Sequence, residues 1–269
     1  MNADKLWHDY NKFTLRKAKQ FGPSIYKALN KQIEYYIQTN DLSNLPQAPI
    51  QDVLTELYTE VGRNWAIVTY YNLLKDAGLK HDPNPPLQIK RRAAIGLNEE
   101  FIQAILDFFA TDQFNTIQNI TQTTRNFIRE QVEQGIQNQL SLDEIINNLL
   151  SSGITKNRAA LIARTEIGKS ANAAEQIGSD KTGLVTTKVW ISVRDFRTRL
   201  HHLEVDNQVR PDGEPFNVGG YMMLRPGAIK TTDGLRVPAK EVCNCRCCIG
   251  REVLKDKHGL PLRKLAIMN

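Results

Sequence analysis

Two periods of apolar and polar residues run along this chain, and the change from one to the other marks its organisation. Up to about residue 45, Phe13, Phe21, Ile25, Leu29, Ile33 and Ile37 recur at loosely helical spacing, with Pro23 expected to interrupt or begin a helix. Residues 41–49, with two prolines among Asn and Ser, read as a loop. A clearer helix covers residues 51–77, with Leu54, Leu57, Tyr58, Val61 and Trp65 on one face and Gly78 as its C-cap. Residues 80–88 carry three prolines and read as a loop or hinge between helical lobes. Asn98 is a good N-cap for a helix through Phe101, Ile105 and Phe109, and residues 116–139 continue the period with Ile117, Ile120, Phe127, Ile128 and Val132. The Gln, Asn and Thr on the other side of that stretch suit water or a polar protein surface better than a bilayer. Ser141 and Glu144 form a capping box for a further helix that Gly153 ends, and Thr155 caps the next, through Ala159, Ile162, Ile167 and Ala171. Arg164, Glu166 and Lys169 are polar positions on that small-residue helix, placed to anchor it to a following domain by ion pairs.

After residues 178–183 the pattern becomes β-rich. Residues 184–193 are rich in Val and Thr, residues 217–220 and Pro226-Gly227 are turn signals, and residues 242–249 read as a short strand after Pro238. These elements predict an α+β protein: a mainly helical N-terminal region (1–180), a small α+β module (181–254), and a polar tail (255–269) that is exposed or docked on a partner.

Composition narrows this little further. With 41% hydrophobic and 24% charged residues the chain is globular in type. The first residues carry charges where an export signal needs an apolar core, and no apolar run approaches the roughly twenty residues of a membrane span. The expected setting is a reducing cytoplasm, which favours thiols or metal over disulfides. A net charge of +6 is compatible with a nucleic-acid neighbour, but acids and bases are interleaved. The densest basic run of the helical half, Lys90, Arg91 and Arg92, reads as a solvated segment before a helix.

The candidate chemistry is concentrated at the end of the module. All four cysteines, Cys243, Cys245, Cys247 and Cys248, lie within six positions, and His201 and His202 stand about forty residues earlier. Thiolate and imidazole are zinc ligands, so the pattern suggests a metal clip between two ends of one small module. In a strand, Cys243, Cys245 and Cys247 share one face and Cys248 faces the other way. If the chain turns there instead, Cys245 and Cys248 form the chelating C-x-x-C spacing. Cysteine packing in a core is the bland alternative. Asp195 with Arg197 or Arg199 reads first as a pair bracing a loop, and only second as catalytic.

Taken in order, several pieces resemble the phage Mu F-like family of minor head proteins. They are A-R-T-E at Ala163 to Glu166, Trp190, D-x-R-T-R-x-x-H from Asp195 to His202, Phe216, Pro226-Gly227, Pro238, and N-C-R-C from Asn244 to Cys247. The resemblance covers roughly residues 155–251 and makes His202 the motif histidine, so the candidate zinc set is His202, Cys243, Cys245 and Cys247. Where the family has Asp-Gly after the histidine this chain has Asp206 and Asn207, and Asn also accepts a left-handed turn. The resemblance implies a virion protein of the head or portal region, assembled in the host bacterial cytoplasm. It would contact the portal protein and other head components, lie near packaged DNA, and act in head assembly or early DNA delivery without chemistry of its own. Two other readings stand beside it. One is a metal-dependent hydrolase or nuclease using His201, His202 and Asp195, disfavoured because no P-loop, H-E-x-x-H or G-x-S-x-G is present and clustered thiols favour a closed structural site. The other is a zinc-braced nucleic-acid-binding protein.

Overall fold

The computed structural model describes residues 2–79, 93–151 and 153–264. The proline-rich stretch 80–88 and the basic triplet Lys90 to Arg92 lie outside them. Five helices come first: α1 (Ala3–Thr39), α2 (Ala48–Asp76), α3 (Ala93–Gln137), α4 (Leu142–Ser151) and α5 (Gly153–Thr182). Asn2 caps α1 by accepting from the Lys5 N–H at 2.9 Å. Pro23 neither starts nor stops this helix. It lies on the exposed side, where the carbonyl left without a partner can be hydrated. Gly78, at φ 69°, ends α2 as the spacing predicts. Asn98 does not cap α3, which is already helical from Ala93 and runs unbroken for 45 residues. The capping box at α4 is formed: the Ser141 N–H donates to Glu144 Oε2 at 2.7 Å, and the Glu144 N–H to Ser141 Oγ at 3.3 Å.

Helix α5 is central to the bundle. Its face of Ala159, Ala163, Ile167, Ala171 and Ala174 is buried in one core with Leu54, Leu57, Val61 and Trp65 of α2 and Phe21 and Ile25 of α1. Small side chains allow close approach, and Gly178 shows how close. A Cβ there would stand 2.4 Å from the Ala66 carbonyl oxygen of α2. Gly178 is therefore inside α5, not a junction, and the helix ends at Gly183, in a left-handed conformation at φ 65°.

The second region continues with β1 (Thr186–Ile191), α6 (Leu200–Glu204), β2 (Val209–Pro211), β3 (Phe216–Val218), β4 (Tyr221–Met223), α7 (Ala239–Val242) and β5 (Cys248–Val253). The antiparallel sheet has the order β2-β1-β5, and β3 and β4 form a separate hairpin turning at Gly219 and Gly220, both at positive φ. Alternation along β1 and β5 divides two cores. Val189, Ile191 and Cys248 face the helices. Trp190, Cys247 and Ile249 face the other way, onto Phe216, Val218, Met223, Val237 and Val242. The sheet is thus a layer between the bundle and the module's own core. Residues 255–264 double back, with an isolated bridge from Arg263 to Leu184 and the Lys264 N–H donating to the Gly183 carbonyl at 2.9 Å.

The strand expected at residues 242–249 is not there. The chain is helical to Val242, turns through Asn244 at φ 56°, and becomes a strand only at Cys248. Side chains, in place of a ladder, satisfy this backbone. The Asn244 N–H donates to Thr165 Oγ1 at 2.9 Å, Trp7 Nε1–H donates to the Arg246 carbonyl at 3.2 Å, and Arg199 donates to the Cys243 carbonyl. Among the described residues no helix is long and apolar enough to cross a membrane.

Candidate functional site

Helix α6 and the turn before β5 meet, and a largely buried group of imidazole and thiols, with Cys245 half-buried, forms where they do. His202, on α6, is 1% exposed and stands edge-on to Trp190, with ring centroids 5.4 Å apart. Its Nδ1 lies 3.4 Å from Cys247 Sγ and 3.5 Å from Cys245 Sγ. The three donor atoms are all within 4.8 Å of one another, and among the described residues no other His, Cys, Asp or Glu group is so arranged. The other ring nitrogen, Nε2, lies 3.3 Å from Glu241 Oε2 of α7. Glu241 is 3% exposed, and its second oxygen is 3.3 Å from Nδ1 of the half-exposed His201. One buried carboxylate therefore serves both adjacent histidines.

The thiols differ by environment. The Cys247 thiol beside it and His202 hold Cys245 well below the ordinary thiol range, while that same contact and burial hold Cys247 well above it. Cys248 points into the helical core, and burial pushes its thiol up. Cys243 lies outside the group. Burial, followed by the charge of Glu166, pushes its thiol up as well. The structure thus brings together His202, Cys245 and Cys247 of the residues singled out in the sequence and leaves Cys243 apart. The C-x-x-C pair is not assembled, because Cys245 and Cys248 face different cores. Two of the four thiols, not all four, meet in this group.

The frame around the group is tied by the motif residues. Arg246 donates two hydrogen bonds of 2.6 Å to the two oxygens of Asp195, and this fork holds the carboxyl well below the usual carboxylate range. The bracing pair at Asp195 is present, but its main partner is Arg246 of N-C-R-C; Arg197 adds a longer contact of 3.3 Å. Asp195 and the two histidines consequently face different partners, Arg246 and Glu241. Asn207 takes the left-handed conformation, at φ 60°.

Helix α5 is joined to the module by Thr165, which lies within the A-R-T-E motif, and by Asn172 and Gln176, which belong to no motif. Glu166 and Lys169 pair with each other at 2.7 Å inside the bundle, Glu166 also accepts from the Tyr58 hydroxyl at 2.6 Å, and Arg164 is exposed. That pair stays within α5, and Lys169 packs close to Gly227 of the module, where a Cβ would stand 3.0 Å from Lys169 Cγ. The hydrogen bonds into the module are made by Thr165, Asn172 and Gln176. The Asn172 amide donates toward the Cys247 carbonyl at 3.1 Å and accepts from the Ile249 N–H at 3.1 Å, and Gln176 Oε1 accepts from Arg251 at 2.7 Å. Spacings of seven and four place these three on one face of a helix otherwise lined with alanine, and that polar stripe was the available signal.

A second feature lies on the outer face of α1. Lys5, Lys12, Arg16, Lys19, Lys27 and Lys31 are exposed along the side opposite Tyr10, Phe21, Ile25 and Gln32. Asp9 and Glu34 are the acids among them. At 1.5 Å per residue this basic face is ~39 Å long. Its charges are spread at helical spacing, so no dense run advertises it in the sequence.

The fold and the site define an α+β protein in which a helical bundle carries a small antiparallel module closed around a buried His–Cys–Cys group. Residues 126–250, from within α3 into β5, match the model of the family described as phage Mu protein F like protein. The match bears out the resemblance read from the motifs and begins some thirty residues before it. No curated protein and no solved structure matches the chain. The family is one of phage head morphogenesis.

Proposed function

We propose that this chain is a minor head protein of a tailed phage that associates with the portal vertex and acts in head assembly or early DNA delivery. The family match over residues 126–250 carries the reading. The use of the motif residues supports it. Asp195 and Arg246 brace each other, Arg199 holds the Cys243 carbonyl and Asn244 is tied to Thr165 of α5, so the shared pattern builds a rigid unit for presenting surfaces. Phe196, 95% exposed, and Leu200 are apolar groups that this unit leaves uncovered, the kind of surface an assembly partner covers. In this reading the partners are the portal protein and other head components, and the site of action is the virion head, assembled in the bacterial cytoplasm. Co-expression with the cognate portal protein tests it. The expected result is a complex that survives size exclusion; a chain that never co-purifies with portal, with infectious particles forming normally in its absence, would overturn it.

One observation favours a second role, contact with nucleic acid. The basic face of α1 matches a phosphate backbone in charge and extent. DNA binding through it falls with salt at a log–log slope of about −0.9 per phosphate neutralised. Combined Lys12→Glu, Arg16→Glu and Lys19→Glu should flatten that slope. Affinity that barely changes with salt would remove this role. Nothing in the geometry favours a hydrolase of His201, His202 and Asp195, since Arg246 occupies both Asp195 oxygens.

A further inference from the structure

The family match says nothing of what the buried group at His202 is for. We propose that His202 Nδ1, Cys245 Sγ and Cys247 Sγ hold a zinc ion, with Glu241 orienting the imidazole from behind. The spacing is the first support. With Zn–N of about 2.0–2.1 Å, Zn–S of about 2.3 Å and tetrahedral angles, a nitrogen and a sulfur on one ion stand about 3.5–3.6 Å apart. The two distances here are 3.4 and 3.5 Å. The second support is the direction of the ring. Nε2 faces the buried carboxylate of Glu241, so it carries the proton and leaves the Nδ1 lone pair aimed at the sulfurs. Glu241 Oε2 and His202 Nε2 have no other partner, although both are buried. The third is the donor set. Two thiolates and an imidazole suit a borderline-soft dication and not magnesium or calcium, and two thiolates balance its charge.

The ion would close a loop between positions 43 residues apart, from Cys245 back to His202. That loop contains the β3–β4 hairpin and most of the module core, so the metal would act as a staple for the module. Three protein donors leave a fourth corner for solvent or an added ligand. Cys243, although part of the candidate set read from the sequence, has no place in this site.

Titration of the full chain with cobalt(II), after chelator treatment under reducing conditions, tests the proposal. The expected result is one cobalt per chain, a thiolate-to-cobalt charge-transfer band, the intense visible bands of a tetrahedral ion, and displacement by zinc. Cys243→Ser and Cys248→Ser should keep the band. Cys245→Ser should weaken binding most, and Glu241→Gln by about 10–100-fold. The unmodified chain tests the claim even if a variant fails to fold: absence of stoichiometric binding or of the charge-transfer band overturns it. Loss of the band in a folded Cys243→Ser variant overturns the ligand set.

Discussion

Asn172→Ala removes a buried amide that ties α5 to the chain on both sides of Cys248. Asn172 is 3% exposed. Its NH2 has two hydrogens and three acceptors in reach: the Tyr10 hydroxyl at 3.1 Å, the Gly168 carbonyl at 3.0 Å and the Cys247 carbonyl at 3.1 Å. Its Oδ1 takes the Ile249 N–H. Alanine leaves the Ile249 N–H and the Cys247 carbonyl buried without this partner. Each such group costs about 1–3 kcal/mol, so the expected loss is ~2–6 kcal/mol, a large part of the ~5–15 kcal/mol by which domains are stable. Urea unfolding followed by tryptophan fluorescence and far-UV circular dichroism measures it, because Trp7, Trp65 and Trp190 report from α1, α2 and β1. Hydrogen exchange at the Ile249 amide should accelerate. Asn172→Asp should do no better than alanine, since it sets a carboxylate against the Cys247 carbonyl. A loss below about 1 kcal/mol, with unchanged exchange at Ile249, would refute the clamp.

Other substitutions probe different parts of the molecule. Gly178→Ala forces α5 away from the Ala66 carbonyl and should cost about 1–3 kcal/mol; an unchanged melting temperature would contradict the backbone contact. Lys188 is buried, donates to the Leu224 carbonyl at 2.9 Å, and is pushed by burial from 10.5 down to about 8. Between those values the unfolded chain holds more protons, so this lysine makes stability rise with pH, by up to about 1.4 kcal/mol per unit. Lys188→Met should cancel that rise, and superimposable stability–pH curves for the two proteins would contradict it. Asp195, held low by Arg246, stabilises the fold above the unfolded carboxylate pKa and loses that effect as pH falls through its folded value. Asp195→Asn should therefore be less stable at neutral pH and show a flatter acid limb in pH-dependent unfolding; an unaltered acid limb would count against the fork.

The features legible in the sequence were those written locally. The capping box at Ser141, the Gly78 stop, the hairpin turn at Gly219 and Gly220 and the left-handed Asn207 depend on a few adjacent residues, and each is in place. Pro23 misled because burial of the opposite helical face outweighs a single local signal, and Asn98 because α3 is already helical from Ala93. Residues 242–249 have strand composition, yet their hydrogen bonds go to Thr165, Arg199 and Asn172, which lie far away in sequence. That tertiary turn separates Cys243 from Cys245 and Cys247, and no alternation rule could have foreseen it. Cys248 facing away from Cys247 did follow from alternation, because β5 begins there. Glu241 and Asn172 carried no motif signal; a buried polar residue is recognisable only once its surroundings are known.

The central claim is that this chain is a component of a phage head. Quantitative mass spectrometry of gradient-purified heads, with cross-linking to the portal protein, tests it most directly. The account predicts the chain in portal-containing heads at a fixed low ratio to the portal, with cross-links from the module or the basic face of α1. A chain confined to the soluble fraction and absent from every head species would contradict it.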